Sequence, residues 1–241
     1  MNRYLLFISL FLILNTLNGQ GIKDPYGAIV RSDTTRKTIY LCFTGHDFYE
    51  GFDHVLEVLK KENIKGSFFL TGNFVRNHSK LIKEMAESGH YLGGHSDRHL
   101  LYVDWEKRDS LLISPVDIRK DILDNVRELE ELGIFPKVFM PPYEWYNEKV
   151  VEIAKEIGQA TVNFSSGTRS NADYTTPEMN NYVSSQYILT SIYEYESREG
   201  LNGFHLLIHP GTDPIRKDKL YFHLEGLINE LRRRGYGFER F

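Results

Sequence analysis

Seven short β-forming runs, separated by longer stretches with helical spacing, constrain this chain more than any other feature of its sequence. The runs are Thr38–Phe43, Gly66–Leu70, Tyr91–Gly94, Lys137–Phe139, Ala160–Asn163, Phe204–His209 and Gly237–Arg240. Between them apolar residues recur at intervals of three and four, as in Phe52, Val55, Leu56 and Leu59, or Leu220, Leu224, Leu227, Ile228 and Leu231, the mark of helices with one buried face. Leu81, Ile82 and Met85 mark another helix. Ile118, Ile122, Val126 and Leu129 make a stripe opened by Ser114 as cap, Pro115 in the first turn and Asp117 three residues after the cap, a helix-start signature. Asn147 is placed to cap a further helix through Ile157. Strands alternating with helices predict a parallel, barrel-like α/β domain, with an open doubly wound sheet as the alternative. Both place chemistry at the C-terminal ends of the strands.

Residues 1–20 stand apart. Arg3 precedes an apolar run from Tyr4 to Leu14, and small and polar residues follow through Gly21. The run is short for a bilayer span and suits a signal peptide, with an uncleaved anchor as the alternative. The expectation is an exported protein, periplasmic or secreted, with no stable membrane insertion after cleavage and residues 21–241 as one domain. The formal charge of -4 is spread along the chain, so no basic stripe suggests nucleic acid. The lone Cys42 lies in an apolar run and excludes an internal disulfide.

Three strand ends carry candidate chemistry. His95 and His99 follow the Tyr91–Gly94 run; four apart, they would share one side of a helical turn and converge on an ion. Imidazole suits zinc and neighbouring metals. His46-Asp47 follows the first run and can supply a third ligand and a base. His209 leaves the sixth run with a pKa suited to acid catalysis. For each alone there is a plainer reading: two surface or capping histidines at 95 and 99, a turn at Gly45-His46-Asp47, and a satisfied core histidine at 209. Aromatic residues near these positions, including Tyr102, Trp105, Tyr143, Trp145 and Tyr146, suit either sugar stacking or loop packing.

His95-Ser96-x-x-His99, after a lead-in of Gly89, His90, Gly93 and Gly94, resembles the second motif of the NodB-like polysaccharide deacetylases, carbohydrate esterase family 4. Gly66-Ser67-Phe68-Phe69-Leu70-Thr71-Gly72, Phe139-Met140-Pro141-Pro142-Tyr143 and Leu206-Leu207-Ile208-His209 are similar to three further family segments in the same order. The resemblance implies a distorted (β/α)7 barrel. It also implies a divalent metal, zinc above all, on Asp47, His95 and His99, a backbone N–H of Tyr143 at the oxyanion, His209 as acid and an acetylated glycan as substrate. Trp145, Arg169 and Asp173 become candidates for sugar contact, and Arg169, Asn171, Asp173 and Asp213 for orienting His209.

Three departures accompany these matches. The family's first motif is Thr-Phe-Asp-Asp; aligned on Thr44-Gly45-His46-Asp47, it puts His46 at the base position and Asp47 at the ligand position. A register anchored on Phe43 would leave Asp47 outside both. The arginine of the third motif is Met140 here, and the Asp-Trp fourth motif is not evident. The first two changes fit either a redesigned base, since histidine needs no cation to set its pKa, or a carbohydrate-binding protein without catalysis. A hydrolase of another C–N bond, such as a cyclic amide, is the third reading.

Overall fold

A computed structural model describes residues 21–241; the expected signal peptide, residues 1–20, lies outside them. The chain opens with β1 (Ile22–Lys23) and β2 (Ile29–Arg31). It continues through β3 (Thr38–Gly45), α1 (Phe52–Lys61), β4 (Ser67–Leu70), α2 (Gly72–Asn77), α3 (Ser79–Glu87) and β5 (Tyr91–Gly94). Then follow α4 (Pro115–Glu130), β6 (Val138–Phe139), α5 (Glu148–Glu156), β7 (Ala160–Thr161), α6 (Ser185–Glu199), β8 (Phe204–Ile208), α7 (Leu224–Arg233) and β9 (Gly237–Glu239). All seven expected strands are present; β1, β2, α2 and α6 were not anticipated.

One sheet runs in the order β1-β2-β8-β3-β4-β5-β6-β7, with β9 also on β3. Only the β1–β2 and β2–β8 pairings are antiparallel. Strand β9 pairs with Thr38–Tyr40 of β3, while β4 takes Cys42–Gly45. The two ends of the sheet approach each other where Ile29 of β2 bridges Val162, just past β7. The sheet therefore curls into a distorted barrel rather than the open doubly wound alternative.

Alternation along β3 explains its two faces. Cys42 turns inward with Phe69, Met140, Val162 and Leu207, filling the barrel. Ile39, Leu41 and Phe43 turn outward against the helices, with Phe52, Val55 and Leu59 of α1 and Leu227, Ile228 and Leu231 of α7 in the same cluster. Each such side chain contributes about 1.5–3 kcal/mol on burial. Cys42 is wholly buried and burial pushes its thiol well up, so it serves packing and not nucleophilic chemistry. Ser114 Oγ accepts from Asp117 N at 3.2 Å and Asn147 Oδ1 from Val150 N at 3.2 Å, capping α4 and α5 as anticipated.

Candidate active site

The loops after β3, β5, β6, β7 and β8 meet over one end of the barrel, around a cavity of about 490 Å³ lined by His46, Asp47, His95, His99, Glu144 and His209 among others. This is the C-terminal end of the parallel strands, as the fold requires.

His95 and His99 do converge, but not on a helical turn. Residues 95–99 are irregular, with Ser96 (φ 66°) and His99 (φ 56°) left-handed, and Ser96 Oγ accepts from His99 N at 3.0 Å. The expectation of a helix fails because the loop is held from outside. Asp121 of α4, wholly buried, accepts from Tyr102 OH at 2.8 Å and Arg98 Nε at 3.1 Å, and its carbonyl accepts from Asp97 N at 3.0 Å. Asn125, one helical turn on, accepts from His95 N at 2.8 Å and donates to Leu70 O at 3.0 Å. Gly94 is required here, because a Cβ would stand 2.7 Å from Asn125 Oδ1.

His95 Nδ1 lies 2.8 Å from the Met140 carbonyl. A carbonyl only accepts, so Nδ1 carries the proton and Nε2 presents a lone pair to the pocket. His99 Nε2 lies 3.2 Å from that Nε2. Burial pushes His95 down to about 3 and holds His99 below the ordinary imidazole range, each further lowered by neighbouring imidazoles. Both rings are therefore neutral near pH 7, the form that binds metal.

The His46 ring stacks on His99 with centroids 4.1 Å apart, and its Nε2 is 3.2 Å from Asp47 Oδ2. Burial lowers the His46 pKa, with Asp47 opposing. Nδ1 of both His46 and His99 is buried without a partner. The two Nε2 atoms suit a divalent metal in donor type and direction. Among the described residues, however, no group of three or more His, Cys, Asp or Glu side chains is arranged to hold one. The expected third ligand, Asp47, is 67% exposed and turned to His46.

His209 stands across the pocket, gripped by Asp173. Asp173 Oδ1 is 2.6 Å from His209 Nδ1, and Oδ2 accepts from His209 N at 2.8 Å. Burial disfavours the imidazolium, but the charge and hydrogen bond of Asp173, with Glu144 adding, outweigh it and raise the His209 pKa. Asp173 is 1% exposed and both of its oxygens are engaged by His209, the geometry of its anticipated orienting role rather than of a sugar contact. Asp213 lines the pocket but does not bond His209.

The other two sugar-contact candidates lie elsewhere. Trp145 donates from Nε1 to Asp104 O at 3.2 Å and covers Arg108, whose guanidinium sits 3.8 Å from the ring centroid; it packs loops. Arg169 is exposed beside Tyr187 and outside the cavity lining. The aromatic wall is instead Trp105, Tyr143 and Tyr174, 54%, 44% and 43% exposed.

Glu144 escaped the sequence reading. Tyr143 (φ 60°) and Glu144 (φ 52°) are successive left-handed residues after Pro141-Pro142, an unfavourable pairing for non-glycine residues. Asn163 Nδ2 donates to the Glu144 carbonyl at 3.1 Å and fixes the turn. Its carboxyl is thrown into the pocket, side chain 10% exposed and 4.0 Å from His95 Nε2. Burial raises the Glu144 pKa to about 7, His209 opposing and Asp173 adding. A glutamate in a Tyr-Glu-Trp loop reads as a surface charge; only the two prolines before it hinted at a fixed turn. The Tyr143 N–H takes no part in the turn, whose bonds run from Glu144 N to Pro141 O and Trp145 N to Pro142 O.

A barrel with paired imidazoles and a carboxylate-held histidine at its C-terminal mouth defines a hydrolase-type site, and the chain belongs to the polysaccharide deacetylase family, whose sequence profile matches residues 31–162. Among its relatives is the peptidoglycan-N-acetylmuramic acid deacetylase PdaA of Bacillus subtilis, 29% identical over 220 residues, covering 90% of this chain and 74% of PdaA. The PdaA structure, a family 4 carbohydrate esterase, superposes with a TM-score of 0.69 at 27% identity, covering 89% of this chain and 83% of that one. A peptidoglycan-N-acetylglucosamine deacetylase of Bacillus cereus is 27% identical over 184 residues, 76% of each chain. A family 4 pseudoenzyme from Bacillus anthracis shares the fold, with a TM-score of 0.70 at 22% identity over 88% of this chain and 66% of that one.

Proposed function

We propose that this protein is an exported, metal-dependent deacetylase that removes acetyl groups from N-acetylated sugars of the peptidoglycan type. The observation that carries the reading is the placement of the His95–His99 pair and the His209–Asp173 pair in one cavity. The names of PdaA and of the Bacillus cereus relative support the substrate class. His95 and His99, with Asp47 as the candidate third ligand, would hold a divalent cation, which would supply polarisation of the acetyl carbonyl and a more nucleophilic water. Zinc suits the two imidazoles.

The chain's own residues do the rest. His95 is fixed in its tautomer by the Met140 carbonyl. The unused Tyr143 N–H is available to the oxyanion as the carbonyl carbon becomes tetrahedral. His209, its pKa raised by the charge and hydrogen bond of Asp173 against the effect of burial, gives its proton to the departing amine. Trp105 and Tyr174 wall the cleft where sugar rings would lie.

Acetate release from peptidoglycan fragments tests this. Release should disappear with a chelator, return with zinc and fall at least 100-fold in His209→Ala. A second reading, glycan binding without turnover, is favoured by His46 and Met140 standing where the family has its base and its arginine. Saturable glycan binding with no acetate released under any added metal would establish that reading instead.

A further inference from the structure

The family base is missing from its usual place, and His46 is poorly disposed to replace it. Its Nε2 is engaged by Asp47 at 3.2 Å, its Nδ1 is buried out of contact with solvent, and its ring lies flat on His99, interplanar angle 20°. A ring stacked in this way presents a face, not a lone pair, to its neighbour. Glu144 has the opposite character. Its carboxylate is nine-tenths buried, forms no hydrogen bond to protein among the described residues, and faces the pocket between the His95–His99 pair and His209. Two consecutive left-handed residues are maintained to put it there.

We propose that Glu144 is the base of this site, the carboxylate that takes the proton of the attacking water, relocated from the strand β3 motif to the loop after β6. The inference rests on the deacetylase reading. The 4.0 Å from Glu144 Oε1 to His95 Nε2 leaves the carboxylate beside the imidazole pair and free to accept a hydrogen bond of about 2.8 Å from water. In the reaction the water oxygen bonds to the acetyl carbon as one of its protons passes to Glu144. The C–N bond then breaks, and His209 protonates the nitrogen. The products are acetate and an amine, and the proton held by Glu144 returns to solvent or to His209. The buried Met140 agrees with this relocation: a carboxylate no longer at position 46 has no need of an arginine at 140.

Glu144→Gln, Glu144→Ala and His46→Asn in the full chain test the proposal, with acetate release and isothermal titration with zinc alone as readouts. Glu144→Gln should lose at least 100-fold in kcat, with KM and zinc affinity within about threefold of wild type, since its interaction is with the reacting water. Formate should restore part of the activity of Glu144→Ala, which a fold defect would not allow. His46→Asn should lose less than tenfold. Glu144→Gln retaining kcat within about threefold would overturn the proposal, as would a tenfold loss of zinc affinity with activity restored by excess zinc, which would make Glu144 a ligand. A wild-type chain that releases no acetate sinks the deacetylase reading and this inference together; a wild type that does, with an active Glu144→Gln, sinks only the inference.

Discussion

Asp173 holds His209 through both carboxylate oxygens, one on the ring Nδ1 at 2.6 Å and one on the backbone N–H at 2.8 Å. The first bond fixes the tautomer and the second fixes the ring's origin, so Nε2 alone remains for the pocket. Asp173→Asn keeps the shape and removes the charge that raises the His209 pKa. The alkaline limb of kcat/KM should then move to lower pH, because the acid loses its proton earlier. The pair also contributes to stability. A histidine whose folded pKa is raised gives its full contribution below the unfolded value of about 6.5 and loses it as pH rises through the folded one. Asp173→Asn should therefore lower Tm more at pH 5.5 than at pH 9. An unchanged pH–rate profile would show that the aspartate only fills space.

The His95–His99 convergence predicts metal binding that both side chains must serve. His99→Ala should weaken zinc binding by titration calorimetry on the order of 100-fold or more, since even the loss of an outer partner commonly costs 10–100-fold. Binding should persist as pH falls to about 5, because burial keeps both imidazoles unprotonated well below the ordinary range, and fade only at more acid pH, where protons compete with the cation for the same nitrogens. Undiminished zinc affinity in His99→Ala would place the cation elsewhere.

Asp121 predicts a stability effect away from the chemistry. It is wholly buried, and its carboxylate braces the residue 96–102 loop through Tyr102 and Arg98, while its carbonyl separately accepts from the Asp97 N–H. Asp121→Ala removes the acceptor and leaves Tyr102 OH buried without a partner. A loss of about 3 kcal/mol is expected in urea unfolding, with zinc affinity falling as the loop loosens. A loss under about 1 kcal/mol would mean that the loop holds itself.

How much of this was legible in the chain depended on the range of the interaction. The central parallel strands β3, β4, β5 and β8 were visible because buried strands read as short apolar runs, and the caps at Ser114 and Asn147 were visible because capping is local. Strand β2 was missed: Ile29–Arg31 is three residues long and is ordered by Phe204 and Val162 far along the chain. Helix α6 carries a fair signal in Ser184, Ile188, Leu189 and Ile192, diluted by tyrosines and serines around it. His95, His99 and His209 were legible as candidates because they sit at strand ends. The left-handed geometry at Ser96 and His99 was not, since Asp121 and Asn125 impose it from another helix. Glu144 was invisible for the same reason: it is set in the cavity beside His95 and with His209, neither of them near it in sequence.

Trp105 offers the sharpest test of where the sugar lies. Its ring is 54% exposed at the cavity rim, edge-on to Tyr143 with centroids 5.8 Å apart and 5.3 Å from the ring of Trp145. It touches none of the histidines or carboxylates that would carry the reaction, so its contribution should be equal in ground and transition states. Uniform binding of that kind appears in KM and leaves kcat alone. Trp105→Ala should raise KM for an oligosaccharide roughly fivefold, about 1 kcal/mol for one lost stacking contact, with kcat within about twofold. Trp105→Phe, which keeps a ring, should recover most of the loss. A fall in kcat at unchanged KM would instead make Trp105 a support for the Tyr143–Glu144 turn, and the substrate would have to approach from the Tyr174 side.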